Sequence, residues 1–224
     1  MKQPADLNEF LQALDSAYPD EVCYLSYNKP WELLFATILS AQCTDQRVNM
    51  VTPVLFAELP TLESFANADL EVIENLIKST GFFRTKAKHL KQCAEILISS
   101  YNGELPEEME KLTALPGVGR KTANLIRGHV FKIPSVIVDT HVNRISKRLG
   151  LTTSDDPTKA EFELMEVLPK DHWTKYNTQI IAHGRAICQS RKPRCLDCTL
   201  SAHCKKVGVD DTNKANNSNI KAEG

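Results

Sequence analysis

The chain has 224 residues, 42% hydrophobic and 25% charged, with a formal net charge of −1, proportions that exclude a disordered or fibrous chain. That length buries a sizeable core in one large domain or two small ones. No stretch approaches the roughly 20 apolar residues of a membrane span, and MKQPADLNEF lacks the apolar segment of a secretory signal, so the sequence predicts a cytoplasmic protein with no membrane partner.

Helical periodicity dominates the chain. In KPWELLFATILSAQ, Pro30 suits a first helical turn, and Trp31, Leu34, Phe35, Ile38 and Leu39 recur at three- and four-residue spacing. DLEVIENLIKSTG sets Leu70, Ile73, Leu76 and Ile77 on one face and stops at Gly81, and KAKHLKQCAEILISSYNG stops in the same way at Gly103. LPGVGRKTANLI, from Leu115 to Ile126, breaks one helix at Pro116, Gly117 and Gly119 and opens another near Arg120. SVIVDT at 135–140 is the one strand-like run; a single apolar triplet cannot make a sheet, so it reads as a buried linker. DPTKAEFELMEVLP takes Asp156 as N-cap and Pro157 in its first turn, and closes before Pro169. The segment 208–224, ending in the polar DDTNKANNSNIKAEG, reads as a disordered tail. The class is all-α.

The small net charge hides a segregation. Residues 1–81 carry four Lys or Arg against twelve Asp or Glu, whereas residues 111–148 carry eight against Asp139 alone. Charge alone fits equally a basic face for a polyanion and a helix face neutralised by packing on the acidic half.

Glycines at 117 and 119 permit positive φ and close approach of a phosphate, and a helix start beside them offers exposed amides to an anion. The spacing rules out a nucleotide phosphate loop, which needs four residues between its glycines where this hairpin has one. A plain turn between packed helices is the competing reading, weakened by Arg120 and Lys121 directly after it. On these grounds Leu115, Gly117, Val118, Gly119, Arg120 and Thr122 are candidate phosphate contacts.

CQSRKPRCLDCTLSAHC gathers Cys188, Cys195, Cys198 and Cys204 at spacing C-x6-C-x2-C-x5-C. Seven cysteines in a cytoplasmic chain argue against a disulfide framework and for a metal at this cluster. The spacing suits zinc and iron–sulfur equally well. Either would hold the ends of the loop QSRKPR and present Arg191, Lys192 and Arg194 to a phosphate backbone. His203 beside Cys204 reads as a bystander, and Cys23, Cys43 and Cys93 as buried small residues in helical patterns.

LPGVGRKTA, VDTHVNR fourteen residues further on, the cysteine run and SAQCTD at 40–45 stand in one order. In this the chain resembles the helix–hairpin–helix DNA glycosylases with an iron–sulfur cluster, the endonuclease III family in particular, over about residues 20–207. The resemblance implies two helical domains flanking a cleft. A six-helix domain at 23–133 holds the hairpin, and 1–22 with 134–207 form a helical domain with a [4Fe–4S] cluster on the four cysteines. It also implies a bifunctional glycosylase and apurinic/apyrimidinic lyase of base excision repair, a monomer acting on double-stranded DNA with damaged pyrimidines or abasic sites.

Lys121 falls on the family's catalytic lysine and Asp139 on its catalytic aspartate. An amine nucleophile attacks only when unprotonated, and a helix start, Arg120 and desolvation by DNA all disfavour the ammonium. Gln42 falls on the glutamine that fills the gap left by a flipped nucleotide, Phe82 on a second wedge, and Asp45 near the pocket. Thr113 departs from the pattern, which has an acidic residue two positions before LPGVG. Adenine and mismatch thymine glycosylases share the scaffold but lack the lysine. A non-catalytic iron–sulfur DNA-binding module is the reading from another class.

Overall fold

The computed structural model describes residues 7–19 and 23–209, so the predicted tail from residue 210 onward lies outside the described residues. No described residue is in a strand, and the chain divides into two compact units. Helix α1 (Leu7–Ala17) belongs with residues 134–209, and Cys23–Ile133 form the other unit.

The Cys23–Ile133 unit is built around α2 (Pro30–Leu39), in which every residue from Trp31 to Leu39 is buried. The apolar spacing implies one buried face, but a helix apolar nearly all round goes to the centre of its unit. Its one acid, Glu32, is 5% exposed because its carboxylate accepts from the Asn28 and Lys29 amides, 2.7 and 3.2 Å away, and closes the helix start. Trp31, Phe35, Phe56 and Phe65 pack edge to face, with Phe35 and Phe65 centroids 4.9 Å apart. Around them lie α3 (Asp45–Glu58), α4 (Leu62–Asn67), α5 (Leu70–Ile77), α6 (Phe83–Tyr101), α7 (Met109–Thr113) and α8 (Arg120–His129).

Two helix ends differ in detail from expectation. α5 stops at Ile77 and tightens into a 3-10 turn, Lys78–Thr80, before Gly81 at φ 71. α6 stops at Asn102, which takes the left-handed conformation (φ 51) ahead of Gly103 (φ 81). Asparagine tolerates that region well enough to share the stop with glycine.

The other unit packs α1 with α9 (Thr140–Leu149), α10 (Pro157–Val167) and α11 (Trp173–Ala186). Its core gathers Phe10, Leu14, Val138, Ile145, Leu164, Tyr176 and Ile180. SVIVDT is the buried linker the sequence predicts: Asn177 of α11 donates to Ile137 O at 3.0 Å, and Thr174 Oγ1 accepts from the Ser135 amide at 3.3 Å. Side chains thus supply hydrogen bonds that a sheet partner would otherwise make. Asp156 caps α10 through the Lys159 amide, 2.8 Å away. A Cβ on Gly184 of α11 would lie 2.4 Å from His141 Nδ1 of α9, so glycine permits their close approach. No described helix is long and apolar enough to cross a membrane.

Candidate functional site

The hairpin between α7 and α8 hangs from the first core. Leu115 and Val118, 2% and 6% exposed, bury their side chains there, and the Val118 amide closes the turn on Leu115 O at 3.1 Å. These two therefore anchor the hairpin and leave only main chain for a ligand. Gly117 has φ +77, and a Cβ on it would lie 2.5 Å from His89 Nδ1 of α6, so conformation and space both require glycine. Gly119 differs from expectation. Its φ of −95 is open to any residue and nothing lies within 4 Å of where a Cβ would stand, so its small size leaves the helix start accessible. Cys93 donates its thiol to Pro116 O at 3.1 Å, and burial pushes that thiol up to about 12, which keeps the donor proton in place.

Lys121 is the second residue of α8 and is exposed, with Arg120 and Thr122 half-buried beside it. A helix leaves its first-turn amides without partners inside the helix, so this end combines a cation, a flexible amine and main-chain donors. Thr113 closes α7 with its hydroxyl donating to Met109 O and Glu110 O, at 2.9 and 3.2 Å.

Gln42 and Phe82, in the same unit, share an unusual feature. Both are non-glycine residues in left-handed backbone, φ 53 and φ 48, and both are exposed, Phe82 by 67%. Such conformations cost on the order of 1–3 kcal/mol and persist where surrounding contacts impose them. Thr44 caps α3 by accepting from the Arg47 amide at 3.2 Å, and places Asp45 half-buried at its first position. Cys43 and Cys23 are half-buried and lie in turns or coil, whereas Cys93 alone of the three is a buried helix residue. The apolar pattern at Cys43 is the run-out of α2, which ends at Leu39.

Asp139 lies in the other unit, half-buried at the N-cap of α9, with Oδ1 accepting from the Val142 amide at 2.8 Å. α9 leads from this carboxylate to the cysteine loop. Arg144 donates to Cys188 O at 3.1 Å, and Arg148, one turn further, is 9% exposed. Arg148 donates to Gln189 O at 2.7 Å, to Ser190 O at 2.6 Å and to Cys188 Sγ at 3.3 Å.

Cys188, Cys195, Cys198 and Cys204 line one cavity together with Ile145, Leu149, His183 and Leu200. Burial pushes the Cys198 and Cys204 thiols up, and the other sulfurs around them add to it, so these two resist ionisation unless a positive centre binds them. Donors already aim at two of the sulfurs, Arg148 at Cys188 and the Lys206 amide at Cys204 (3.4 Å), and His183 Nε2 lies 3.7 Å from Cys198 Sγ. Tyr18 Oη is 3.0 Å from the other ring nitrogen of His183, and burial lowers that imidazole to about 4, so it is neutral. Among the described residues, no three His, Cys, Asp or Glu side chains converge on a point that would hold one metal ion. Zinc and an iron–sulfur cluster both take thiolate ligands, so four sulfurs lining one cavity fit either group.

The loop cations divide. Arg191, Lys192 and Arg194 are all exposed, but Arg194 also folds back to donate to Ala186 O at 2.6 Å, with Asp197 4.0 Å from its guanidinium. Lys86, Arg148 and His183 are functional candidates that sequence reasoning missed. Only Arg148 left a trace, standing one helical turn beyond Arg144 in HVNRISKR.

Residues 35–170 match the family model described as HhH-GPD superfamily base excision DNA repair protein. Curated relatives named Endonuclease III include those of Synechocystis sp., 49% identical with 88% of this chain and 90% of the relative covered, and Bacillus subtilis, 40% identical over the same shares. The Escherichia coli K12 relative is 36% identical, covering 90% of this chain and 96% of its own. The solved structure of a non-covalent Endonuclease III–DNA complex superposes with a TM-score of 0.86 at 40% identity, covering 92% of this chain and 97% of that one. A thermostable thymine-DNA glycosylase, at 21% identity and a TM-score of 0.76, shares the fold. With the hairpin, the exposed lysine after it and the four-cysteine cavity, these matches make the chain a member of the endonuclease III family within the HhH-GPD superfamily.

Proposed function

We propose that this DNA glycosylase is bifunctional, removing oxidised pyrimidines from double-stranded DNA and then cleaving the abasic strand as a lyase. The observation that carries the reading is Lys121, exposed on the first turn of α8 directly after the main chain of Gly117 and Gly119. Phosphate held by the helix-start amides, with Arg120 and Thr122, brings a sugar to that amine. Lys121 Nζ attacks C1′; the C1′–N bond breaks, and the base leaves with the bonding pair and takes up a proton. Loss of the amine proton and opening of the sugar ring give a Schiff base, which acidifies the C2′ proton. Removal of that proton expels the 3′ phosphate by β-elimination. Asp139, held by its cap bond, is assigned to stabilising positive charge on the sugar. Gln42 and Phe82 are assigned to the space vacated by the flipped nucleotide, and Asp45 to the pocket.

Cys188, Cys195, Cys198 and Cys204 are the residues that would hold a [4Fe–4S] cluster; bound there, it would tie the loop ends and leave Arg191 and Lys192 to meet the backbone. Arg194 is left to brace the loop. The fold, the cavity lined by four thiols and the relatives' names support this assignment.

Borohydride trapping on duplex DNA containing thymine glycol tests the reaction. The wild type is expected to form a covalent adduct that Lys121→Ala does not. No adduct from the wild type on thymine glycol or on abasic DNA, with duplex binding retained, would overturn the lyase and leave a monofunctional glycosylase or a binding protein.

A further inference from the structure

Gln42 and Phe82 stand on strained backbone in two separate connections, one after α2 and one before α6. A strained turn needs something rigid to hold it. Lys86, in the first turn of α6, is 4% exposed, and its ammonium donates to Leu39 O and to Thr80 O, both at 2.8 Å. Leu39 is the last residue of α2, just before the turn that carries Gln42; Thr80 ends the 3-10 turn that leads into Gly81 and Phe82.

Space filling does not account for this lysine. Burying an ammonium is unfavourable unless hydrogen bonds offset it, and an apolar side chain of the same length would fill the volume without that penalty. Both acceptors are main-chain carbonyls, and one closes a helix C-terminus, where a cation is favoured by the helix dipole. Burial lowers the Lys86 pKa, while the Cys43 sulfur beside it acts in the opposite sense. Methionine could pack there; it could not tie two carbonyls from different connections together.

We infer that Lys86 is a positioning residue for strand entry: its ammonium ties the turn bearing Gln42 to the turn bearing Phe82, so that the two side chains enter the duplex as one rigid unit. The inference rests on the insertion role proposed above for those two residues. Holding both turns before DNA arrives removes an ordering cost from the flipping step.

The experiment compares single-turnover base excision from two DNAs: thymine glycol paired in a duplex, and the same lesion in an unpaired bulge, where little flipping work is left. Lys86→Met is expected to slow excision from the paired duplex about tenfold, or ~1.4 kcal/mol, with less than about a twofold change on the bulge. Lys86→Arg, which keeps donors, should restore most of the paired-duplex rate. Equal slowing on both DNAs, or none on either, would overturn the inference. Gln42→Ala and Phe82→Ala are run alongside: if neither slows the paired duplex, the insertion reading itself fails, whereas slowing by them but not by Lys86→Met refutes only the tie. Should Lys86→Met not fold, Lys86→Gln replaces it. Too short to reach both carbonyls, it must show the same selective loss, and equal losses on the two DNAs refute the inference as before.

Discussion

The two units hold their candidate site loops in different ways. The core of Cys23–Ile133 is a continuous aliphatic body round four edge-to-face aromatics, with Glu32, Thr37, Thr52, Thr80, Lys86 and Asn124 also buried in that unit. The other core is smaller, and beside it lie Ser146, Arg148, Asn177, Thr178, Gln179 and His183, all buried. The hairpin is held by apolar anchors, Leu115 and Val118, while the cysteine loop is held by hydrogen bonds from Arg148 and lined by four cysteine sulfurs. An apolar anchor is indifferent to ionic and redox conditions; a loop held by charged donors and lined by thiols is not. The difference teaches which contacts each unit can afford to lose.

The largest expected effect breaks the comparison on the apolar side. Phe35 is fully buried and touches the Trp31 and Phe65 rings at centroid distances of 5.4 and 4.9 Å. Phe35→Ala should destabilise its own unit by ~3–5 kcal/mol and leave the cysteine loop intact. Hydrogen exchange followed by mass spectrometry reads both: α2, α6 and α8 should lose protection while α9 and α11 keep theirs. Equal loss in the two units would show that their cores are not independent.

Arg148 is the corresponding weak point on the polar side. Arg148→Met keeps much of the buried stem but removes the donors to Gln189 O, Ser190 O and Cys188 Sγ. Loss of a residue that orients metal ligands lowers metal affinity about 10- to 100-fold, so with the proposed cluster on the four cysteines, iron release to a chelator should quicken by that order. An unchanged release rate would mean that the sulfurs alone hold the loop.

The same contrast explains what was legible in the sequence. The hairpin, the lysine after it and the capped start of α10 were readable because each depends on residues close together in the chain: glycine spacing, a cap before an apolar run, a proline in a first turn. The all-α class followed from the period of the apolar residues. Lys86 was illegible because its acceptors are main-chain carbonyls, one of them 47 residues away, and a carbonyl carries no residue identity. His183 was hidden for a related reason: its contacts are Tyr18, 165 residues away, and Cys198. Arg194 looks like a free cation in the sequence because the end of α11 that captures it is set by the turn between them. Cys43 follows an apolar helix closely enough to be counted in it, although that helix ends at Leu39.

The smallest effect sharpens the polar side further, through Asp15 on α1. Its carboxylate accepts from Gln179 at 2.8 Å, from Lys175 at 2.9 Å and from His172 at 3.2 Å, all from α11 or the turn before it. Partial burial would raise its pKa, but hydrogen bonds from Gln179, Lys175 and His172 outweigh that and hold it below the usual carboxylate value. A depressed folded pKa means that the unfolded chain binds the proton more readily. The bonds' contribution is therefore complete above the unfolded value of about 3.9 and is lost as pH falls through the lower folded value. With the Asp15 side chain 38% exposed, solvent screening limits the effect to about 0.2–1 kcal/mol. Denaturant unfolding from pH 6 down to pH 3, followed in wild type and Asp15→Asn, should show two stability curves that converge toward the acid end. Parallel curves would mean that α1 is held by Phe10, Leu11 and Leu14 alone, which would make the attachment of this helix as apolar as anything in the Cys23–Ile133 unit.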